Sequence, residues 1–182
     1  MFLRTDRLFL RPAWLEDAPE LARTIGQEPV VRMLARVPWP YREEHARAWI
    51  GTPKDRYLPS LLVTLPEESG RIVGGCGLHE DAGRIEVGYW IAPPYWSRGY
   101  ATEALGGLLS LARLAGHRRI MGRHAADNAA SARVLRKAGF LPTGRARAFH
   151  SLGRNARVEA PEYALDLAGA DGPQDAPMRK AA

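Results

Sequence analysis

The segment Pro93-Pro94-Tyr95-Trp96-Ser97-Arg98-Gly99-Tyr100-Ala101-Thr102-Glu103-Ala104-Leu105 carries the plainest chemistry in the chain. Two prolines stop a β-like run, a glycine-containing turn follows, and a long apolar-periodic stretch begins, so the spacing predicts strand, tight loop and helix N-terminus. A helix starting there aims unpaired N–H groups and the positive end of its dipole into the loop. That is an anion site made of backbone, suited to a phosphate. Gly99 removes a Cβ from the approach, Ala101 keeps the next outward position small, and Arg98 adds positive charge. Taken alone, such a turn reads first as helix initiation around a permissive glycine. Neither G-x-G-x-x-G nor G-x-x-x-x-G-K-[ST] occurs, so a dinucleotide or a nucleoside triphosphate is not indicated.

Other reactive side chains are sparse. In Arg84 to Ile91, strand alternation puts Ile85, Val87, Tyr89 and Ile91 on one face and Glu86, Gly88 and Trp90 on the other. Glu86 is then either a solvated strand carboxylate or a group turned into a cleft. His79, Glu80 and Asp81 end the preceding strand, where polar turn residues are common. The single cysteine, Cys76, lies in an apolar run and reads as a buried structural thiol, and its solitude excludes an intrachain disulfide framework and a cysteine-based zinc site. Asn128 and Ser131 open a later helix and would serve as cap and first-turn residue. Lys137 at that helix's far end suits its dipole.

The formal charge of +6 favours anionic ligands or partners in general. Basic residues are spread along the chain with no aromatic-interleaved pattern, which disfavours nucleic acid. No stretch approaches a membrane-spanning length and the start has no apolar leader, so the expected location is the cytoplasm.

The elements that must position these groups follow from periodicity. Leu8 to Arg11 reads as a first strand, Trp14 to Ile25 and Tyr41 to Ile50 as helices, and Val30 to Pro40 as loop. Tyr57 to Leu65, Arg71 to His79 and Arg84 to Ile91 form an antiparallel meander. Gly99 to about Ala115 is a helix, Arg118 to His124 a strand, and strand-helix-strand around the loop is a right-handed crossover between parallel strands. Ala129 to Ala138 is a helix, and Phe140 to Leu167 a closing hairpin. The 182 residues thus make one domain over 1–167, with an Ala, Gly and Pro-rich tail over 168–182 that reads as disordered.

Two segments together are specific. Pro94 to Ala104 resembles the acetyl-CoA-binding motif of the GNAT N-acetyltransferase superfamily, and Asn128-Ala129-Ala130-Ser131-Ala132-Arg133-Val134-Leu135-Arg136-Lys137-Ala138-Gly139-Phe140 resembles its second cofactor motif. Thr5-Asp6-Arg7-Leu8-Phe9-Leu10-Arg11-Pro12 is similar to the opening of the ribosomal-protein alanine acetyltransferase (RimJ/RimL-like) branch. The resemblance implies an α+β fold: a mixed, mostly antiparallel, splayed sheet of about seven strands flanked by about four helices. It implies that Trp90, Ile91 and Ala92 pair their backbone with the pantetheine amides of acetyl-CoA. The N–H groups of Trp96, Ser97, Arg98, Gly99, Tyr100, Ala101 and Thr102 would hold the pyrophosphate, and Asn128 and Ser131 the pantetheine and sulfur end.

The chemistry so implied is direct aminolysis in a ternary complex, with no metal and no nucleophilic cysteine. An ammonium must lose a proton before it attacks, and Glu86 is the expected base, with His79, Glu80 and Asp81 behind it. Many amino-terminal acetyltransferases carry a Tyr one turn after Ser131 as general acid. Here that place is Leu135, which leaves Ser131 or water to protonate the thiolate. The acceptor is a primary amine, of a protein N-terminus or a small molecule, and the protein a monomer or homodimer. A non-catalytic acetyl-CoA-binding module is the rival expectation.

Overall fold

In a computed structural model that describes residues 1–167, the chain opens with two short strands, β1 (Leu3–Arg4) and β2 (Phe9–Arg11). One 3-10 turn leads into α1 (Ala18–Ile25), and α2 (Glu28–Val31) and α3 (Glu43–Gly51) follow. The meander is β3 (Ser60–Leu65), β4 (Arg71–Asp81) and β5 (Arg84–Ile91), succeeded by α4 (Tyr100–Leu114), β6 (Arg119–Arg123) and α5 (Ala129–Lys137). The chain closes with β7 (Leu141–Ala146), β8 (Phe149–Ser151), β9 (Ala156–Val158) and β10 (Pro161–Asp166).

Eight strands form one sheet in the order β1-β2-β3-β4-β5-β6-β10-β7, and β8 and β9 pair separately. Every pairing is antiparallel except β5 with β6, which meet in parallel with Glu86 opposite Met121. Beyond that single register β5 runs on to Ile91 without β6 beside it, so the sheet opens there. The crossover through α4 connects these two strands, as a parallel pair requires.

Apolar faces close both sides of the sheet. Leu105, Leu108, Leu109 and Ala112 of α4 and Leu135 of α5 bury against Leu10, Val63, Val73, Val87 and Ile120. On the other side Ala18, Leu21, Ala22 and Ile25 of α1 and Ala46 of α3 pack on Leu62 and Ile72, with Trp90 half-buried beside them. The expected mixed, splayed, three-layer fold is therefore found, with eight strands in the main sheet rather than seven and five helices rather than four. The added helix, α2, begins just before the Val30 to Pro40 stretch expected to be loop and overlaps its first two residues. Pro29 inside its first turn and only four residues of length hide it from a periodicity reading. The closing hairpin is four strands, and β10 inserts between β6 and β7. The expected tail over 168–182 lies outside the described residues.

Candidate active site

The loop before α4 folds as its residues dictate. Ser97 and Gly99 both take left-handed backbone, with φ of 61° and 82°, and α4 begins immediately after. The first intrahelical bond there is from Glu103 N–H to the Gly99 carbonyl at 3.1 Å. Helix geometry consequently leaves the N–H groups of Tyr100, Ala101 and Thr102 without an internal partner. Trp96 differs, because its N–H is bonded to the Pro93 carbonyl at 3.2 Å and its indole Nε1 donates to the Ile91 carbonyl at 2.6 Å. The expected Trp96 N–H contact to a phosphate is thus already engaged, and the ring is a fixed wall of the cleft. Arg98 is exposed, with its guanidinium 5.4 Å from the Tyr95 ring centroid.

A clamp that sequence reasoning missed holds this loop. Glu103, in the first turn of α4, accepts from Thr5 Oγ1 (2.6 Å), Arg7 N (2.8 Å) and Arg7 Nε (2.8 Å). Arg7 Nη1 reaches on to the Arg98 carbonyl at 3.0 Å. Burial alone would raise the Glu103 carboxyl, but these bonds and the Arg7 charge hold it below the usual range.

Along β5 the register decides which backbone groups face the opening. Ala92 N–H is bonded to the Val73 carbonyl at 2.9 Å, and the Ala92 carbonyl accepts from Tyr95 N–H at 2.9 Å. Antiparallel alternation then turns the polar backbone of Trp90 and Ala92 toward β4, and that of Tyr89 and Ile91 toward the gap. Of the three residues expected to pair with a pantetheine arm, Ile91 faces the opening, Trp90 and Ala92 are turned away, and Tyr89 takes their place. The reason lies in the β4 partner, which the sequence of β5 does not contain.

On the far wall of the gap Asn128 caps α5, its Oδ1 accepting from Ser131 N–H at 3.0 Å. Ser131 Oγ meets the Tyr89 hydroxyl at 2.7 Å. Leu135 is fully buried, and Gly122 stands so close that a Cβ there would come within 2.8 Å of its side chain. It belongs to the core.

Glu86 is buried, only 2% exposed, and not the solvated carboxylate that a strand position allows. Its Oε2 accepts from Arg123 Nε at 2.9 Å and lies 3.7 Å from His79 Nε2. Its Oε1 has no hydrogen-bond partner. Burial is the largest influence on Glu86 and raises its carboxyl; Arg123 opposes it without overcoming it. Burial first, then Arg36 and Arg123, pushes His79 down to about 4, so its ring is neutral at neutral pH. Asp81 binds the other side of Arg123, and Arg147 Nη1 stands 3.1 Å from Asp81. Cys76 is buried, its thiol pushed up to about 12 by burial, and takes no part in the site.

A cavity of about 1040 Å³ joins these parts. It is lined by the α4 loop, by Arg133 and Lys137 of α5 and by Met33, Leu34 and Phe149, and Glu86, His79, Tyr89 and Ser131 also lie on its walls. A slot between diverging strands, ending at unpaired helix N–H groups, fits a long thioester with a phosphorylated handle. The family model described as "Acetyltransferase (GNAT) domain" matches residues 7–141. The chain belongs to the GNAT acetyltransferase family. The Bacillus subtilis (strain 168) protein "Uncharacterized N-acetyltransferase YoaA" is 31% identical over 149 residues, covering 78% of this chain and 84% of that one. A GNAT-family acetyltransferase structure from Bacillus anthracis is 23% identical with a TM-score of 0.75, covering 91% of this chain and 98% of that chain. RimL, titled ribosomal L7/L12 alpha-N-protein acetyltransferase in complex with coenzyme A, is 18% identical with a TM-score of 0.71, over 91% and 98%.

As a GNAT enzyme the protein is an acetyl-CoA-dependent acyltransferase, which sets aside a purely binding role. Among the described residues, no group of three or more His, Cys, Asp or Glu is placed to hold a metal, and no helix is long and apolar enough to cross a membrane. In this GNAT site the α4 loop, Tyr89, Ile91 and the start of α5 line the slot, with the Ile91 carbonyl already engaged by the Trp96 indole. Arg7, Tyr89, Arg123 and the Met33–Leu34–Phe149 wall are the parts that sequence reasoning did not find. Two of these had a signal: Arg7 lies inside the Thr5 to Pro12 segment, and strand alternation sets Tyr89 on the face opposite Glu86.

Proposed function

We propose that this protein acetylates a primary amine by direct attack of the amine on the thioester, with Glu86 as base. The observation that carries the reading is that one cavity is lined by the start of α4, by Glu86 and by the Met33–Leu34–Phe149 wall. Acetyl-CoA supplies an activated acyl group held at its phosphate end. The chain's own residues do the rest. Glu86 offers Oε1, which has no hydrogen-bond partner and stands 3.9 Å from Arg147 Nη1, to the proton leaving the amine, with neutral His79 beside it to pass the proton toward solvent. The Tyr89 and Ile91 N–H groups face the place where carbonyl oxygen charge would build. Ser131 lies where the sulfur would depart.

An N-terminal protein amine is the first acceptor to try, since the Thr5 to Pro12 opening is similar to the RimJ/RimL-like branch and RimL shares the fold. A small-molecule amine fits the same chemistry. Incubation with acetyl-CoA and a panel of short peptides and simple amines, following thiol release and acceptor mass, tests the proposal. The expected result is acceptor-dependent thiol release with an acetylated amine as product. Release that no acceptor raises above the hydrolytic background overturns it.

A further inference from the structure

The Tyr89 hydroxyl lies 2.7 Å from Ser131 Oγ and 3.2 Å from the Ser131 carbonyl. β5 and α5 contribute one residue each, 42 positions apart, and both line the cavity. The Ser131 carbonyl sits in the first turn of α5, where helix geometry already supplies it the Leu135 N–H. The closer acceptor for Tyr89 is therefore Ser131 Oγ. Each hydroxyl has one proton to donate. When Ser131 donates to Tyr89, that proton is turned away from the cleft. When Tyr89 donates to Ser131 Oγ, the Ser131 proton is free to turn into the cleft. Negative charge arriving in the cleft selects the second arrangement, because a chain of hydrogen bonds polarises toward a charge.

We propose that Tyr89 is a positioning residue for Ser131, its hydroxyl donating to Ser131 Oγ and so turning the Ser131 proton toward the thioester sulfur. The inference rests on the acetyl-transfer reading above. In that reaction the amine nitrogen bonds to the acetyl carbon and loses a proton toward Glu86. The carbon–sulfur bond breaks with its electron pair on sulfur, and sulfur gains a proton from water. Ser131 O–H bonds to the sulfur while the charge is there, and Tyr89 holds it in that orientation without giving up its own proton. Burial pushes the Tyr89 hydroxyl up to about 12, so it remains a donor over the working range. No residue one turn along α5 competes for this task, because Leu135 is apolar and fully buried.

Tyr89→Phe removes only the hydroxyl. Its expected effect is a fall in kcat of about tenfold with the KM for acetyl-CoA unchanged, the size of one hydrogen bond to a developing charge. The Tyr89→Phe/Ser131→Ala double variant should be no slower than Ser131→Ala, because the two side chains act as one unit. A second readout needs no turnover. Calorimetry with free coenzyme A should show affinity rising with pH as the bound thiol ionises, and desulfo-coenzyme A should show no such rise. Tyr89→Phe and Ser131→Ala should each flatten that rise. An unchanged kcat with an unchanged pH dependence of binding overturns the proposal. So do additive kinetic losses accompanied by a fall in Tm, which would mark a packing role. If the wild type acetylates no amine, the acetyl-transfer reading fails, and the calorimetric comparison alone decides the Tyr89 assignment.

Discussion

At Glu86, burial and a neighbouring guanidinium pull in opposite directions, and burial prevails, leaving the carboxyl above its ordinary value of 4.5. A general base must be ionised, so kcat/KM should climb as pH rises through that elevated value, on a limb separate from the acceptor's own deprotonation. Glu86→Gln should remove that limb and lower kcat by roughly a hundredfold while leaving the calorimetric affinity for acetyl-CoA intact. A wild-type rate in the variant removes Glu86 from the mechanism. His79 makes a separate prediction, on stability. Its folded value of about 4 lies below the ordinary value of 6.5, so between these the unfolded chain binds more protons. The contribution is complete above 6.5 and lost as pH falls to about 4. Thermal melts of the wild type should lose Tm across that window, and His79→Gln should lose less. Equal slopes would mean that His79 titrates alike in both states. Strand alternation along β5 was enough to put Glu86 and Tyr89 on opposite faces. It could not show that Arg123, from β6, fills the space beside Glu86, because that contact spans 37 positions.

Among the elements, the α4 loop is legible from its own residues, since a turn, a glycine and an apolar helix lie contiguous in sequence. Gly99 is required by backbone as much as by the ligand, because φ of 82° disfavours any side chain and a branched one most. Gly99→Val should therefore both strain the loop and narrow it, weakening acetyl-CoA binding at least tenfold by calorimetry. Unaltered affinity would mean that the loop does not hold the phosphates. The brace behind the loop is not local. Thr5 and Arg7 reach Glu103 across more than ninety positions, with 98 between Thr5 and Glu103, and no periodicity encodes such a pairing. Arg7→Ala leaves a partly buried Glu103 with fewer donors and frees the Arg98 carbonyl. The Kd for acetyl-CoA should rise by about tenfold, a charge-assisted contact's worth, with kcat at saturation nearly unchanged. A fall in kcat without a change in Kd would place Arg7 elsewhere in the mechanism.

Over the whole molecule the site is a consequence of one interrupted pairing. β5 and β6 touch at Glu86 and Met121 and part beyond it, which leaves backbone groups facing a slot that both layers of helices border. The donor end could be read from two contiguous motifs. The wall where we propose the acceptor enters could not, because it is assembled from α2, the turn after it, and the β8–β9 hairpin. Ser151 Oγ donates to the Leu34 carbonyl at 2.9 Å across 117 positions, and Leu152 N–H donates to the Ala35 carbonyl at 2.9 Å. Arg154 fastens the same corner. It donates to the Arg32 carbonyl and forms a two-pronged pair with Asp127 at 2.9 and 3.0 Å, with its own side chain 15% exposed. A planar guanidinium bridging three segments fixes their spacing better than a lysine could. Arg154→Ala should therefore let the Met33–Leu34–Phe149 wall loosen while the α4 loop, on the other side of the slot, stays as it is. The expected signature is a rise of several-fold in KM for the acceptor, with the acetyl-CoA Kd from calorimetry unchanged, as loss of uniform binding requires. Equal weakening of both ligands would mean that the corner supports the slot as a whole, and an unchanged acceptor KM would mean that the amine approaches by another face.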